Sequence, residues 1–97
     1  MTSESALQLL SAHKAEMQRR FGVRDLALFG SVARNEAHEE SDVDVLVEFG
    51  GPVTFHGYFD VLFFLESVFG RKVDLVTQDA VRPRIRPAIE KDAIHVP

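Results

Sequence analysis

The stretch Ser-Asp-Val-Asp-Val-Leu-Val-Glu-Phe (residues 41–49) decides how this chain folds. Its apolar and polar side chains alternate with a period of two, which is typical of a β-strand with one buried face. Gly50-Gly51-Pro52 follows directly and ends the pattern. The alternation therefore predicts a strand over Asp42–Phe49 whose two faces differ in chemistry. One face carries Val43, Val45, Val47 and Phe49, and the other carries Asp42, Asp44, Leu46 and Glu48.

Downstream of this strand, the apolar spacing changes to that of a helix. Intervals of three and four residues predict a helix from about Phe55 to Phe69, with Gly70 at the C-terminal cap. Lys72–Thr77 predicts a further strand, in which Asp74 interrupts an apolar run. A helix between two strands can serve as a crossover that makes them neighbours in one sheet. Its core-facing positions are Tyr58, Val61, Leu62, Leu65, Val68 and Phe69.

The order of the elements predicts an α/β (α+β) fold, a small mixed sheet with helices packed on one side. Ser5 and Gln8 form a possible capping box for the first helix. The prolines at 83 and 87 frame the last one, because proline is tolerated in a first helical turn. The remaining predicted elements are a helix from Ser5 to about Arg20, a strand Asp25–Phe29, one or two helical turns from Ser31 to about Ala37, a helix from about Pro83 to Lys91 and an edge strand Ile94–Val96.

Length and composition narrow the classes of protein to consider. With 97 residues, a formal charge of −4 and no cysteine, the chain predicts a single domain (residues 1–97) without disulfides or cysteine-ligated metal. No apolar stretch approaches the length of a membrane span, so no membrane partner and a cytoplasmic location are expected. From residue 35 to residue 70 there are eight acidic residues and no Lys or Arg. That acidic middle argues against direct nucleic-acid binding, which needs a continuous basic surface.

Three aspartates suggest a cation site. Asp42 and Asp44 project from the same strand face, about 7 Å apart, and repel each other unless a cation lies between them. Carboxylate oxygens suit Mg²⁺, which takes one or two protein carboxylates together with water and phosphate oxygens. Taken alone, the pair Asp42 and Asp44 is also typical of a strand face that is exposed to solvent. In the same way, a single aspartate on a strand, such as Asp74, is often a residue on the solvent side. Asp74 favours the cation because a carboxylate within an apolar strand is costly unless it is paired or metal-bound.

Gly30-Ser31 supplies a complementary phosphate-binding element between a strand and a short helix. Glycine lets the backbone approach a phosphate closely, and the serine hydroxyl can hold a phosphate oxygen. These motifs together resemble the minimal nucleotidyltransferase (MNT) family of the polymerase-beta-like superfamily. The resemblance rests on Leu28-Phe29-Gly30-Ser31, Ala33-Arg34, Ser41-Asp42-Val43-Asp44-Val45-Leu46-Val47 and Val73-Asp74-Leu75-Val76. Asn35 stands where many members have Gly, and Asn tolerates the left-handed conformation better than most residues.

The resemblance implies a polymerase-beta-like fold and a role for each matching residue. Asp42 and Asp44 would hold Mg²⁺, and Asp74 would complete the metal site and help deprotonate the attacking hydroxyl. Gly30 and Ser31 would bind the phosphates of ATP, the nucleotide donor. The family further implies transfer of AMP to a tyrosine of a HEPN ribonuclease toxin, with this chain as the antitoxin. Two alternatives remain open: an antitoxin that neutralises by binding alone, and a nucleotidyltransferase that modifies small molecules.

Two further features have more than one interpretation. Arg34 either stabilises phosphate charge or pairs with Glu36 or Glu40. Phe63 and Phe64 fall outside the predicted core stripe of their helix, which indicates either a protein interface or a helix that is buried more widely.

Overall fold

The computed structural model describes all 97 residues and contains four helices and four strands. A 3-10 turn over Gln78–Ala80 precedes the last helix. No helix is both long and apolar enough to cross a lipid bilayer. The elements are α1 (Ser3–Phe21), β1 (Val23–Phe29), α2 (Gly30–Ala33), β2 (Val43–Phe49), α3 (Phe55–Phe69), β3 (Val73–Thr77), α4 (Arg86–Asp92) and β4 (Ile94–His95).

The four strands form one mixed sheet in the order β3-β2-β1-β4. β1 pairs antiparallel with β2 and with β4, whereas β2 and β3 run parallel. Parallel neighbours need a long connection, and α3 provides it. The predicted crossover and the predicted mixed α/β sheet are therefore confirmed.

The main core lies between one face of the sheet and the helices α1 and α3. All three alternating valines of β2 are fully buried there, and the two helices contact each other. The opposite face carries the polar side chains of β2, because neighbouring strand residues point to opposite sides. The fully buried members of the core include Leu10, Met17, Leu26, Leu28, Val43, Val45, Val47, Val61 and Leu65.

Several predicted boundaries shift by a few residues. The N-cap of α1 is Thr2 rather than Ser5. The Thr2 hydroxyl oxygen accepts a hydrogen bond from the backbone N–H of Ser5, and the Ser5 hydroxyl oxygen accepts one from the backbone N–H of Thr2. The last helix begins at Arg86 rather than Pro83, with Pro87 in its first turn. The short α2 has a single turn, Gly30–Ala33, since the chain leaves the helical conformation at Asn35. The helix Phe55–Phe69 was predicted correctly at both ends.

Asn35 joins the end of the α2 segment to the start of α1. It is the only non-glycine residue with a positive φ, +60°, as its tolerance of the left-handed region predicted. Its side-chain oxygen accepts the backbone N–H of Ser3 at 2.8 Å. That amide is one of the donors that a helix start leaves without an intrahelical partner. Asn35 therefore serves the backbone turn and the helix start together.

This double role gives a prediction. We expect Asn35→Gly to lower the free energy of unfolding by about 1 kcal/mol, because it loses only the bond to the amide of Ser3. Asn35→Ala should lose about 1 kcal/mol more, since alanine is strained at positive φ. Urea unfolding of both variants measures the difference, and an alanine variant as stable as the glycine variant would contradict this account.

Candidate active site

Three chain segments meet at the end of the sheet where β2 and β3 begin. The register of the parallel pair places Asp44 opposite Asp74, and that of the antiparallel pair places Asp44 opposite Phe29. Phe29 is followed by Gly30 and Ser31 at the start of α2. Asp44 is thus the centre of the candidate site, with Asp74 on one side and the β1–α2 junction on the other.

The surroundings of Asp44 disfavour its ionised form. Its pKa is raised to about 6, first by burial and then by the negative charges of Asp74 and Asp42 and a hydrogen bond with Asp74. The positive charge of Arg34 opposes it but is the smallest contribution. A carboxyl group with this pKa is present in both its protonated and its ionised form at pH values between about 5 and 7. A bound cation would relieve the same repulsion that a proton relieves.

Gly30 fits against Asp44 so closely that no side chain has room there. A Cβ atom at this position would lie 2.0 Å from Asp44 Oδ2 and 2.8 Å from its Cγ. The backbone at Gly30 also has φ +75°, which side-chain-bearing residues rarely adopt. The first turn of α2 therefore lies directly beside the carboxylate. Ser31 is half-buried in that turn, and its carbonyl accepts the backbone N–H of Glu36 at 2.8 Å.

Asp42 lies just before β2 and is exposed, at a distance from which its charge still acts on Asp44. No group of three or more His, Asp or Glu side chains is arranged to hold a metal ion by itself. Mg²⁺ does not require such a cage, because it usually keeps waters and takes further oxygens from a substrate phosphate. The donor set, all carboxylate oxygen, and the unrelieved repulsion at Asp44 fit a hard divalent cation.

Arg34 is held at the edge of the site by two carboxylates. It pairs with Glu36 at 3.1 Å and with Asp92 of α4 at 2.5 Å. Of the two partners predicted for it, Glu36 is present, and Asp92 takes the place of Glu40. Its hydrogen bonds to Glu36 and Asp92 raise the pKa of the guanidinium above its usual value. Asp92 lies 58 residues away along the chain, so no local pattern could have identified it.

Tyr58 is a neighbour of the site that sequence reasoning assigned only to the core. Its hydroxyl donates to the Leu75 carbonyl at 2.6 Å, one residue beyond Asp74 on β3. Burial and, second, the charge of Asp74 raise the pKa of this hydroxyl. Tyr58 therefore anchors the first turn of α3 to the strand that carries Asp74.

A Gly-Ser turn against paired strand aspartates defines a nucleotidyltransferase-type site, and the chain belongs to the nucleotidyltransferase domain family, which matches residues 10–96. It is an enzyme of that class. It is similar to the protein adenylyltransferase MntA of Thermococcus cleftensis, with 36% identity over 96 residues. The alignment covers 99% of this chain and 97% of that relative.

Solved structures share this fold. One, described as a minimal nucleotidyltransferase, is 34% identical with a TM-score of 0.79, covering 97% of this chain and 95% of that one. A second is the complex of an MNT antitoxin with a tri-AMPylated HEPN toxin from Shewanella oneidensis. The matching chain is 17% identical with a TM-score of 0.67, covering 93% of this chain and 71% of that one. At that identity, the second likeness concerns the fold.

The raised pKa of Asp44 predicts how stability varies with pH. A carboxyl whose folded pKa is about 6 and whose unfolded pKa is near 3.8 favours the folded state at low pH. That contribution disappears as the pH rises through 6. In metal-free buffer, we therefore expect Asp44→Asn to be more stable than the natural protein at pH 8, by about 1 kcal/mol after allowance for solvent screening. The gap should narrow as the pH falls towards 4.

Thermal unfolding between pH 4 and pH 8 in the presence of EDTA measures this gap. Asp79→Asn is the matched control, because Asp79 is an exposed carboxylate on the 3-10 turn after the far end of β3. A pH-independent gap at Asp44, or an equal gap at Asp79, would contradict the assigned electrostatics.

The contact at Gly30 gives a second prediction, for which the chain contains its own control. Gly30→Ala and Gly22→Ala both place a side chain at positive φ, but nothing lies within 4 Å of a Cβ at Gly22. Both variants should lose about 1–2 kcal/mol of stability from the backbone. Only Gly30→Ala should displace the Asp44 carboxylate and reduce nucleotidyl transfer by about tenfold or more. Equal activity in the two variants would show that the close contact has no catalytic role.

Proposed function

We propose that this chain is a Mg²⁺-dependent protein adenylyltransferase that acts as an antitoxin, with residues 1–97 forming a single catalytic domain. It transfers AMP from ATP to a hydroxyl group, the tyrosine of a HEPN-domain toxin being the expected acceptor. The observation that carries the proposal is the pairing of Asp44 with Asp74 beside Gly30, because it brings two carboxylates together next to the glycine turn that begins α2.

Each site residue has a definite task in this reaction. Asp42 and Asp44 would hold Mg²⁺, which supplies positive charge to offset that of the triphosphate and the leaving group. Gly30 and Ser31 would bind phosphate oxygens at the start of α2. Asp74 accepts the proton of the acceptor hydroxyl and passes it to solvent.

The chemical balance of the step is that of a phosphoryl-type substitution. The acceptor oxygen forms a bond to the α-phosphorus of ATP while the bond from that phosphorus to the bridging oxygen of the β-phosphate breaks. Pyrophosphate leaves, and the acceptor keeps AMP. The carboxylates position the cation and accept one proton. Such roles are usual in reactions whose catalysis depends mainly on positioning and electrostatic stabilisation.

The names of similar proteins support the partner and the donor. The Thermococcus relative is named a protein adenylyltransferase, and the Shewanella complex contains an AMPylated HEPN toxin. A second candidate, neutralisation by binding alone, is favoured by the exposed aromatic side chains of α3. Binding and catalysis are separated by the experiment below.

We expect the purified chain, incubated with ATP, Mg²⁺ and the product of the neighbouring gene as the candidate HEPN-domain toxin, to increase the mass of that product by whole AMP units. Asp42→Asn/Asp44→Asn and, separately, EDTA should abolish the increase, because either treatment removes the cation site. Intact-mass spectrometry is the measurement, with Asp79→Asn as the carboxylate control that should retain transfer.

Two outcomes would count against this assignment. Toxin neutralisation that persists in the double variant with no mass change would identify masking as the mechanism. Transfer that is unaffected by the double variant would remove the carboxylates from the reaction.

A further inference from the structure

The outer side of α3 carries an unusual exposed aromatic surface. Phe55 is 80% exposed and Phe63 is 61% exposed, and Phe59 lies half-buried between them. Ring centroids are 4.7 Å apart for Phe55 and Phe59, and 5.8 Å apart for Phe59 and Phe63. These three residues, here called the aromatic strip, recur every four positions and so form a continuous line of about 12 Å along the helix.

The aromatic strip lines a shallow depression of about 400 Å³, with His56 and Asp60 at its sides. The chain exposes four large apolar side chains, Val53, Phe55, Phe63 and Ile85. Two of them belong to the strip, Val53 precedes it, and only Ile85 lies elsewhere. An aromatic cluster with a polar rim is the usual composition of the centre of a protein interface. Of the two interpretations left open for Phe63 and Phe64, wider burial applies to Phe64, which packs against Phe21 of α1.

The strip is linked to β3 through Tyr58. The Tyr58 ring meets Phe59 edge-on at 5.2 Å, and the Tyr58 hydroxyl is bonded to the Leu75 carbonyl beside Asp74. One aromatic ring therefore separates the strip from the strand that carries Asp74. Asp74 belongs to the polar face of the sheet, opposite to the face that α3 covers, but its charge still acts on the Tyr58 hydroxyl.

Charge determines which kind of partner fits. The helix that carries the strip contains two acidic residues, Asp60 and Glu66, and no Lys or Arg, and Asp60 lines the depression itself. Two copies of this chain joined through this face would bring like charges together, which disfavours a symmetric dimer. A partner surface with apolar side chains flanked by Lys or Arg satisfies both the aromatic rings and the acidic surroundings.

We propose that the aromatic strip is the docking surface for the protein acceptor, and that it holds an apolar segment with basic flanks while a nearby hydroxyl reaches Asp74. This inference rests on the proposed adenylyl transfer for the identity of the acceptor. It assigns recognition of the acceptor to α3 and leaves the nucleotide to the sheet edge and α2.

The test is the double variant Phe55→Ala/Phe63→Ala, measured against the product of the neighbouring gene as the candidate HEPN-domain toxin. Calorimetry should give a dissociation constant raised by about tenfold or more, because exposed aromatic anchors dominate such contacts. In steady-state transfer, the KM for the acceptor protein should rise while the KM for ATP stays within about twofold. The melting temperature should change little, since both side chains are already largely exposed.

Ile85→Ala is the matched control, an exposed apolar residue in the turn before α4 that should leave binding unchanged. Unchanged acceptor affinity in the double variant, or no binding by the natural chain, would overturn the docking surface. If the double variant raised only the KM for ATP, the strip would instead be a surface on which the nucleotide base stacks. If the double variant lost self-association, the strip would instead be a dimer interface. Normal docking without any AMP transfer would retain the surface and reject the proposed activity.

Discussion

The parallel pairing of β2 with β3 is the constraint on which the rest of this structure depends. It sets Asp44 opposite Asp74 with no basic side chain between them, and the resulting repulsion adds to burial in raising the pKa of Asp44 to about 6. A fold selected only for stability has no reason to keep two carboxylates in this arrangement. Under the proposed function, a bound cation would remove this electrostatic cost, which folding alone leaves in place.

The sheet edge alone does not make the site, since α2 must also approach Asp44. Gly30 permits this approach in two ways: it has the positive φ of the turn, and it leaves the space that a Cβ would fill. The segment after α2 is in turn fixed by Asn35, which accepts the first amide of α1. Contacts therefore connect Asp44, through α2 and Asn35, to the start of α1, and through strand pairing to β1 and β3.

The sequence was sufficient wherever the deciding interactions are local. The alternation along β2 and the helical spacing of α3 gave the sheet, the crossover and both ends of Phe55–Phe69, and Gly70 is the left-handed cap that its position predicted. The sequence left alternatives open where tertiary contacts decide. Phe64 is covered because α1 packs beside α3, and the second carboxylate bound to Arg34 comes from Asp92, at the other end of the chain.

The same distinction applies to the site. Spacing and the family resemblance predicted the three aspartates and Gly30-Ser31 as site residues, but the lack of room for a Cβ between Gly30 and Asp44 and the bond of Tyr58 to β3 require coordinates. Carboxylates and a glycine turn can hold a nucleotide, yet nothing in them discriminates one protein hydroxyl from another. In the proposed reaction, selectivity for a protein acceptor requires a separate surface that presents its hydroxyl to Asp74. Tyr58 connects the exposed rings of α3 to the strand that carries Asp74, so the proposed docking surface and the proposed reaction site share one supporting side chain.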